Sequence, residues 1–140
     1  MDHLDGIEDF FAAFTPANMW DTDNREVNDF SESIGRYKEA DWLFYKSLRD
    51  GGPNRNPRRL TLYSGSLGAY YNQGDGETSG GDGIHILAPT EHLIANANEC
   101  GDYNDCSYVL LYRANGHRIV FGGDSHDRSW EHILDEHGAA

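Results

Sequence analysis

No run of about 18 or more apolar residues occurs in the chain, so no segment can cross a bilayer as a helix. The N-terminus, Met1-Asp2-His3-Leu4-Asp5, has no basic region followed by an apolar one. No signal peptide is read there, and a cytoplasmic setting is the expectation. Cysteine is scarce, with only Cys100 and Cys106. Their spacing fits no common zinc motif, and two reduced thiols are expected, although an oxidising compartment would allow a disulfide. Positive charge is also scarce: 11 Lys and Arg face 24 Asp and Glu, a formal charge of −13. That field repels phosphate and argues against coating nucleic acid or an anionic membrane. It does not exclude a phosphate-bearing substrate at a metal, whose own charge dominates locally. The acidity otherwise serves solubility. Apolar residues reach only 38% of 140, low for a domain that buries its core completely, although the length suffices for one domain with a real core.

What is present organises into alternating helical and extended segments. Asp5 is placed to cap a helix, with Glu8 three residues on as in a capping box. Ile7, Phe10, Phe11 and Phe14 give that helix one apolar face, and Pro16 ends it. Ala17 to Trp20 is a short strand candidate before the turn-rich Asp21-Thr22-Asp23-Asn24. A longer helix is expected from about Asp29 to Arg49, its stripe of Phe30, Ile34, Tyr37, Phe44 and Leu48 interrupted by Asp41. Gly51, Gly52 and Pro53 close it. Leu60 to Tyr63 reads as a strand, the glycine-rich stretch 74–83 as a surface loop, and Ile84 to Leu87 as a strand stopped by Pro89. The glycines of 74–83 do not match a dinucleotide fingerprint. Thr90 is a cap for a short helix through about Asn96. The clearest local signal is a hairpin: Ser107 to Arg113, the turn Asn115-Gly116, then Arg118 to Phe121. A final helix carries Trp130, Ile133 and Leu134. The mixture predicts a layered α/β or α+β fold, taken as one domain over residues 1–140.

Two places offer metal-type ligands. Asp2-His3 directly precedes the first helix. Asp124 follows the strand Ile119-Val120-Phe121 after two glycines, a way of presenting a carboxylate on a rigid element. Taken singly, an Asp-His pair is more often a cap and a surface residue, and Gly-Asp after a strand is more often a turn.

In sequence order these features carry a resemblance. Asp2-His3-Leu4-Asp5-Gly6-Ile7 before an amphipathic helix resembles the second half of the His-x-His-x-Asp-His motif of metallo-β-lactamase-fold hydrolases. Gly122-Gly123-Asp124-Ser125 resembles that family's later Gly-Asp motif. Leu87-Ala88-Pro89, Asn104-Asp105-Cys106-Ser107 entering Tyr108-Val109-Leu110-Leu111, and Trp130 resemble one branch. That branch is the hydrolase domain of bacterial DNA-uptake (competence) channel proteins and its stand-alone relatives. The resemblance implies a partial αββα sandwich whose motif set continues beyond both ends of this chain. It implies two Zn²⁺ or Mn²⁺ ions, with Asp2 and His3 serving the second and Asp124 bridging both as the catalytic carboxylate. Such a pair, about 3.5–4 Å apart, lowers the pKa of shared water and clamps the attacked group. A phosphodiester, in a small molecule or of nucleic-acid type, is the implied substrate. With only Asp2, His3 and Asp124 present, weak metal binding and little turnover are expected of the chain alone.

The other histidines are expected in ordinary roles: His85 on a strand, His92, His132 and His137 on helical surfaces, His117 at the hairpin. His126, two residues after Asp124, is retained as a substrate contact. Arg55, Arg58 and Arg59 form the one dense basic group, able to meet a phosphate bidentately but expected to lie in an exposed loop with paired charges. Two other functional classes compete with the hydrolase: a binding or sensory module that keeps the fold without catalysis, and an acidic interaction protein.

Overall fold

The computed structural model describes residues 4–28, 38–51, 56–73 and 83–138, and their contacts group into two units. Among these residues the fold is mixed α and β: four α-helices and two small sheets. The Asp2-His3 pair, the first part of the predicted 29–49 helix, Arg55, and all of the glycine-rich stretch except Gly83 lie outside the described residues.

The first unit holds α1 (Ile7–Phe14), β1 (Asn18–Asp21), α2 (Glu39–Asp50) and β2 (Arg58–Thr61), with β1 and β2 paired in parallel. The phenylalanine stripe of α1 works as its spacing predicts: Phe11 meets Phe44 of α2 edge to face at 5.6 Å. The start of α1 differs from the capping-box expectation. Its N-cap is Gly6 in the left-handed region, with no side-chain cap, and the Asp5 carboxylate pairs instead with Lys38 Nζ at 3.4 Å. Asp41, which breaks the apolar stripe of α2, is buried and accepts a hydrogen bond from the Gly6 N–H at 3.3 Å. The polar interruption therefore ties the two helices together.

The strand of Leu60 to Tyr63 sits earlier than expected because Arg58 and Arg59 belong to it. Arg59 Nε donates to Asp21 Oδ2 at 2.5 Å and Nη2 donates to Asp23 Oδ1 at 2.8 Å. Arg58 and Arg59 are thus on a strand rather than a loop, and Arg59 is engaged by carboxylates. Asp21 is 4% exposed, and its other oxygen accepts from Tyr45 Oη at 3.4 Å. Burial alone would lower the pKa of Arg59, but the charge and hydrogen bond of Asp21 more than offset it.

The second unit carries a three-stranded antiparallel sheet in the order β3 (Ile84–Ala88), β4 (Val109–Ala114), β5 (His117–Phe121), with α3 (Glu91–Cys100), a 3₁₀ turn (Tyr103–Cys106) and α4 (Asp127–His137). The hairpin is as the Asn-Gly pair predicts: Asn115 and Gly116 both have positive φ, 50° and 79°, the geometry of a tight two-residue turn. Thr90 caps α3 as expected, its Oγ1 accepting from Leu93 N at 3.1 Å, and α3 runs on to Cys100, where Gly101 in the left-handed region stops it. Two buried clusters hold the unit. Ala88, Val109 and Ile133 join the sheet to α4, and Ile94, Ala97 and Cys106 join α3 to the 3₁₀ turn. Beside β3, Asn72 donates its N–H to Ile84 O and accepts from Ile86 N through Oδ1. Ile119, Val120 and Phe121 of β5 stay about half exposed.

Two stability outcomes follow. Replacing Thr90 by Ala removes the cap and costs about 1 kcal/mol, read as a lower urea midpoint with unchanged slope. Replacing Arg59 by Met takes the guanidinium from the buried Asp21 carboxylate and costs on the order of 3 kcal/mol. An unchanged midpoint in that variant would show the pair to be energetically idle.

Candidate functional site

The second unit brings chemically active side chains together at the start of α4. Three stretches supply them: Gly101–Asp102 after α3, the 3₁₀ turn, and the exit of β5 through Gly122-Gly123-Asp124-Ser125 into α4. The exit is shaped by glycine. Gly123 has φ +57°, and a Cβ there would lie 3.0 Å from Tyr108 O and 3.3 Å from Ser107 Cβ. The chain after β5 therefore packs on the backbone that enters β4, and only glycine suits both the angle and the space. Ser125 Oγ donates to Gly122 O at 2.7 Å and closes the turn.

His126 is the N-cap residue of α4. Its Nδ1 lies 3.2 Å from Asp102 Oδ2 and its Nε2 lies 2.8 Å from Asn104 Nδ2. With the Asn104 amide so oriented, Nδ1 carries the proton and donates to Asp102. An imidazolium needs the amide turned to present its oxygen, an orientation set by the hydrogen-bond network. The bond to Asp102 raises the pKa of His126. Desolvation works against the rise, and the charges of Asp102, Asp105 and Asp124 add to it. One turn into the helix, the buried Ser129 Oγ donates to Asp105 Oδ1 at 3.3 Å. Asp105 is 1% exposed, and its Oδ2 has no hydrogen-bond partner among the described residues. Arg128 directs Nη1 to Cys100 Sγ at 3.6 Å. Asp102, Asp105, His126, Asp127 and Arg128 line an open pocket of about 360 Å³.

The residues singled out in the sequence fare differently. Asp124 is exposed at the exit of β5, where the hairpin predicts it, and its charge acts on His126. His126 lines the pocket. Asp2 and His3 lie outside the described residues. Among the described residues, no group of three or more His, Cys, Asp or Glu is arranged to hold a metal ion. Sequence reasoning missed Asp102 and the burial of Asp105. The one local signal for Asp102 is Gly101 ahead of it, which ends α3 and turns the chain into the 3₁₀ segment.

No protein-family model, no curated protein and no solved structure matches the chain.

The His126–Asp102 contact gives a pH prediction. The folded-state pKa of His126 lies above the ordinary value of 6.5, so the protonated ring favours the fold. That contribution is complete below the unfolded pKa and is lost as pH rises through the folded one. Following the imidazole Cε1 proton by NMR should show the raised pKa, and Asp102→Asn should lower it. A titration unmoved by that substitution refutes the assigned cause.

Proposed function

We propose that the chain is a metal-dependent hydrolase module of the metallo-β-lactamase type, its sheets and helices forming part of an αββα sandwich, with a phosphodiester as the substrate class. One observation supports this above the others. The two motifs of the second unit that carry the resemblance pack against each other. Gly123 of the Gly-Asp motif lies on Ser107 and Tyr108, at the end of the Asn-x-x-Ser stretch, and Asn104 of that stretch bonds His126. Residues about twenty positions apart are thereby brought against Gly123 and His126, which flank Asp124 in the chain.

The donors fit in kind. An exposed carboxylate at the end of a strand, next to a glycine with little room for a side chain, suits an oxygen ligand for Zn²⁺ or Mn²⁺. Asp124 would hold the ions, with Asp2 and His3 as the further ligands named by the resemblance. When bound, the metal pair supplies a hydroxide at neutral pH and polarises the attacked group. The protein's own contribution is positional: the β4–β5 hairpin fixes Asp124, and His126, steadied by Asp102 and Asn104, stands two residues away to contact the substrate.

Titration of the whole chain with Zn²⁺ or Mn²⁺ tests the proposal. The unaltered chain should bind the ion weakly, and Asp124→Ala should weaken binding by about tenfold or more and remove any metal-dependent hydrolysis of an activated phosphodiester. Equal affinity in the two proteins rules out Asp124 as a ligand and removes the hydrolase reading.

A further inference from the structure

The pocket at the start of α4 holds a buried carboxylate, Asp105, that the hydrolase reading leaves unused. We propose that it binds a small organic cation, an alkylammonium or guanidinium group, held by the carboxylates of Asp105 and Asp102.

The first ground is the unmet need of Asp105. This residue lines the pocket, is 1% exposed, and leaves Oδ2 without a hydrogen-bond partner among the described residues. Its other oxygen has one long bond, from Ser129 Oγ at 3.3 Å. A carboxylate taken out of water this far gains most from a charged donor. The chain's own nearby cation does not supply that bond: Arg128 sends its Nη1 to Cys100 Sγ.

The second ground is sign. Asp102, Asp105 and Asp127 set three negative charges in the wall against one from Arg128, with His126 neutral or positive. The N-terminal end of α4 by itself favours an anion. Asp127 in its first turn and Asp105, bonded to Ser129 one turn in, already supply the negative charge there. The surrounding field agrees, since a chain of formal charge −13 concentrates cations near its surface and repels anions.

The third ground separates an organic cation from a bare metal ion. A metal ion draws its ligands onto one point, and no three candidate ligands among the described residues are so arranged. The N–H groups of an ammonium or guanidinium point in several directions and can reach carboxylates that do not converge. About 360 Å³ is room for such a group and a short alkyl stem. Asp102 is already oriented for this task by the His126 ring.

The test is an amide NMR titration of the whole, metal-free chain with methylguanidinium chloride, sodium chloride holding the ionic strength constant. Metal-free protein keeps the outcome separate from that of the metal titration. Saturable shifts are expected at residues 102–106 and 126–129. Asp105→Asn and, independently, Asp102→Asn should each weaken binding by about tenfold or more; the second variant alters a partly exposed residue and guards against loss of folding in the first. A capped Gly-Arg-Gly peptide that binds more tightly than methylguanidinium identifies the cation as a peptide side chain, and equal binding identifies a free small molecule. Shifts that sodium reproduces, or affinities unchanged in both variants, overturn the proposal. Saturation by Zn²⁺ but not by methylguanidinium also overturns it, in favour of a metal site.

Discussion

The second unit depends on the burial of Val109. Its side chain is fully enclosed with Ala88 and Ile133, so one contact holds β3, β4 and α4 together. Three residues earlier Cys106 is drawn into the other cluster, under α3. Asp105, directly before Cys106, goes under the surface beside it. Its burial thus follows from the packing of the adjoining Cys106 under α3 rather than from any demand of the carboxylate itself. Dispersion and the removal of apolar surface from water outweigh the desolvation of one acid, and the unmet oxygen at the pocket wall is the consequence.

The unequal distribution of charge follows from similar constraints. In the first unit, scarce arginines are spent on acids and rings. Arg59 spans Asp21 and Asp23, while Arg49 lies over Trp42 and Tyr45 with its Cζ 5.6 and 5.7 Å from the ring centres. With 11 basic residues against 24 acids, neutralisation cannot be uniform. At the start of α4 only Arg128 and, when protonated, His126 oppose the nearby acids. A local negative potential of this kind raises the pKa of His126 and attracts cations by the same physics.

What could be read in the sequence was local. The β4–β5 hairpin was legible because Asn115-Gly116 encodes its turn in two residues, and α3 because Thr90 caps it through its own side chain. The existence of α1 was legible from its phenylalanine period, but its cap was not. Asp5 had a competing partner, Lys38, 33 positions away, and a long-range ion pair has no signature in a four-residue window. The same limit hides the parallel pairing of β1 with β2, the use of Asp41 to bind Gly6, and the pairing of Arg59 with Asp21. At the candidate site, Asp124 and His126 were visible as residues after a strand. Asp102 and Asp105 acquire meaning only when α4 lies against the 3₁₀ turn, which is a matter of tertiary packing.

The two functional proposals share one structural origin even though they concern different ligands. Gly123 must sit close to the Tyr108 carbonyl for β5 to hand the chain into α4, and that approach fixes where Asp124 stands and where α4 begins. The first turn of α4 then fixes His126 against Asp102 and Ser129 against Asp105. A side chain at Gly123 would therefore disturb the exposed carboxylate and the pocket together, whereas a change at Asp105 would reach the pocket alone. The hairpin exit is the hinge on which both sites are set, and the two separate only one helical turn beyond it.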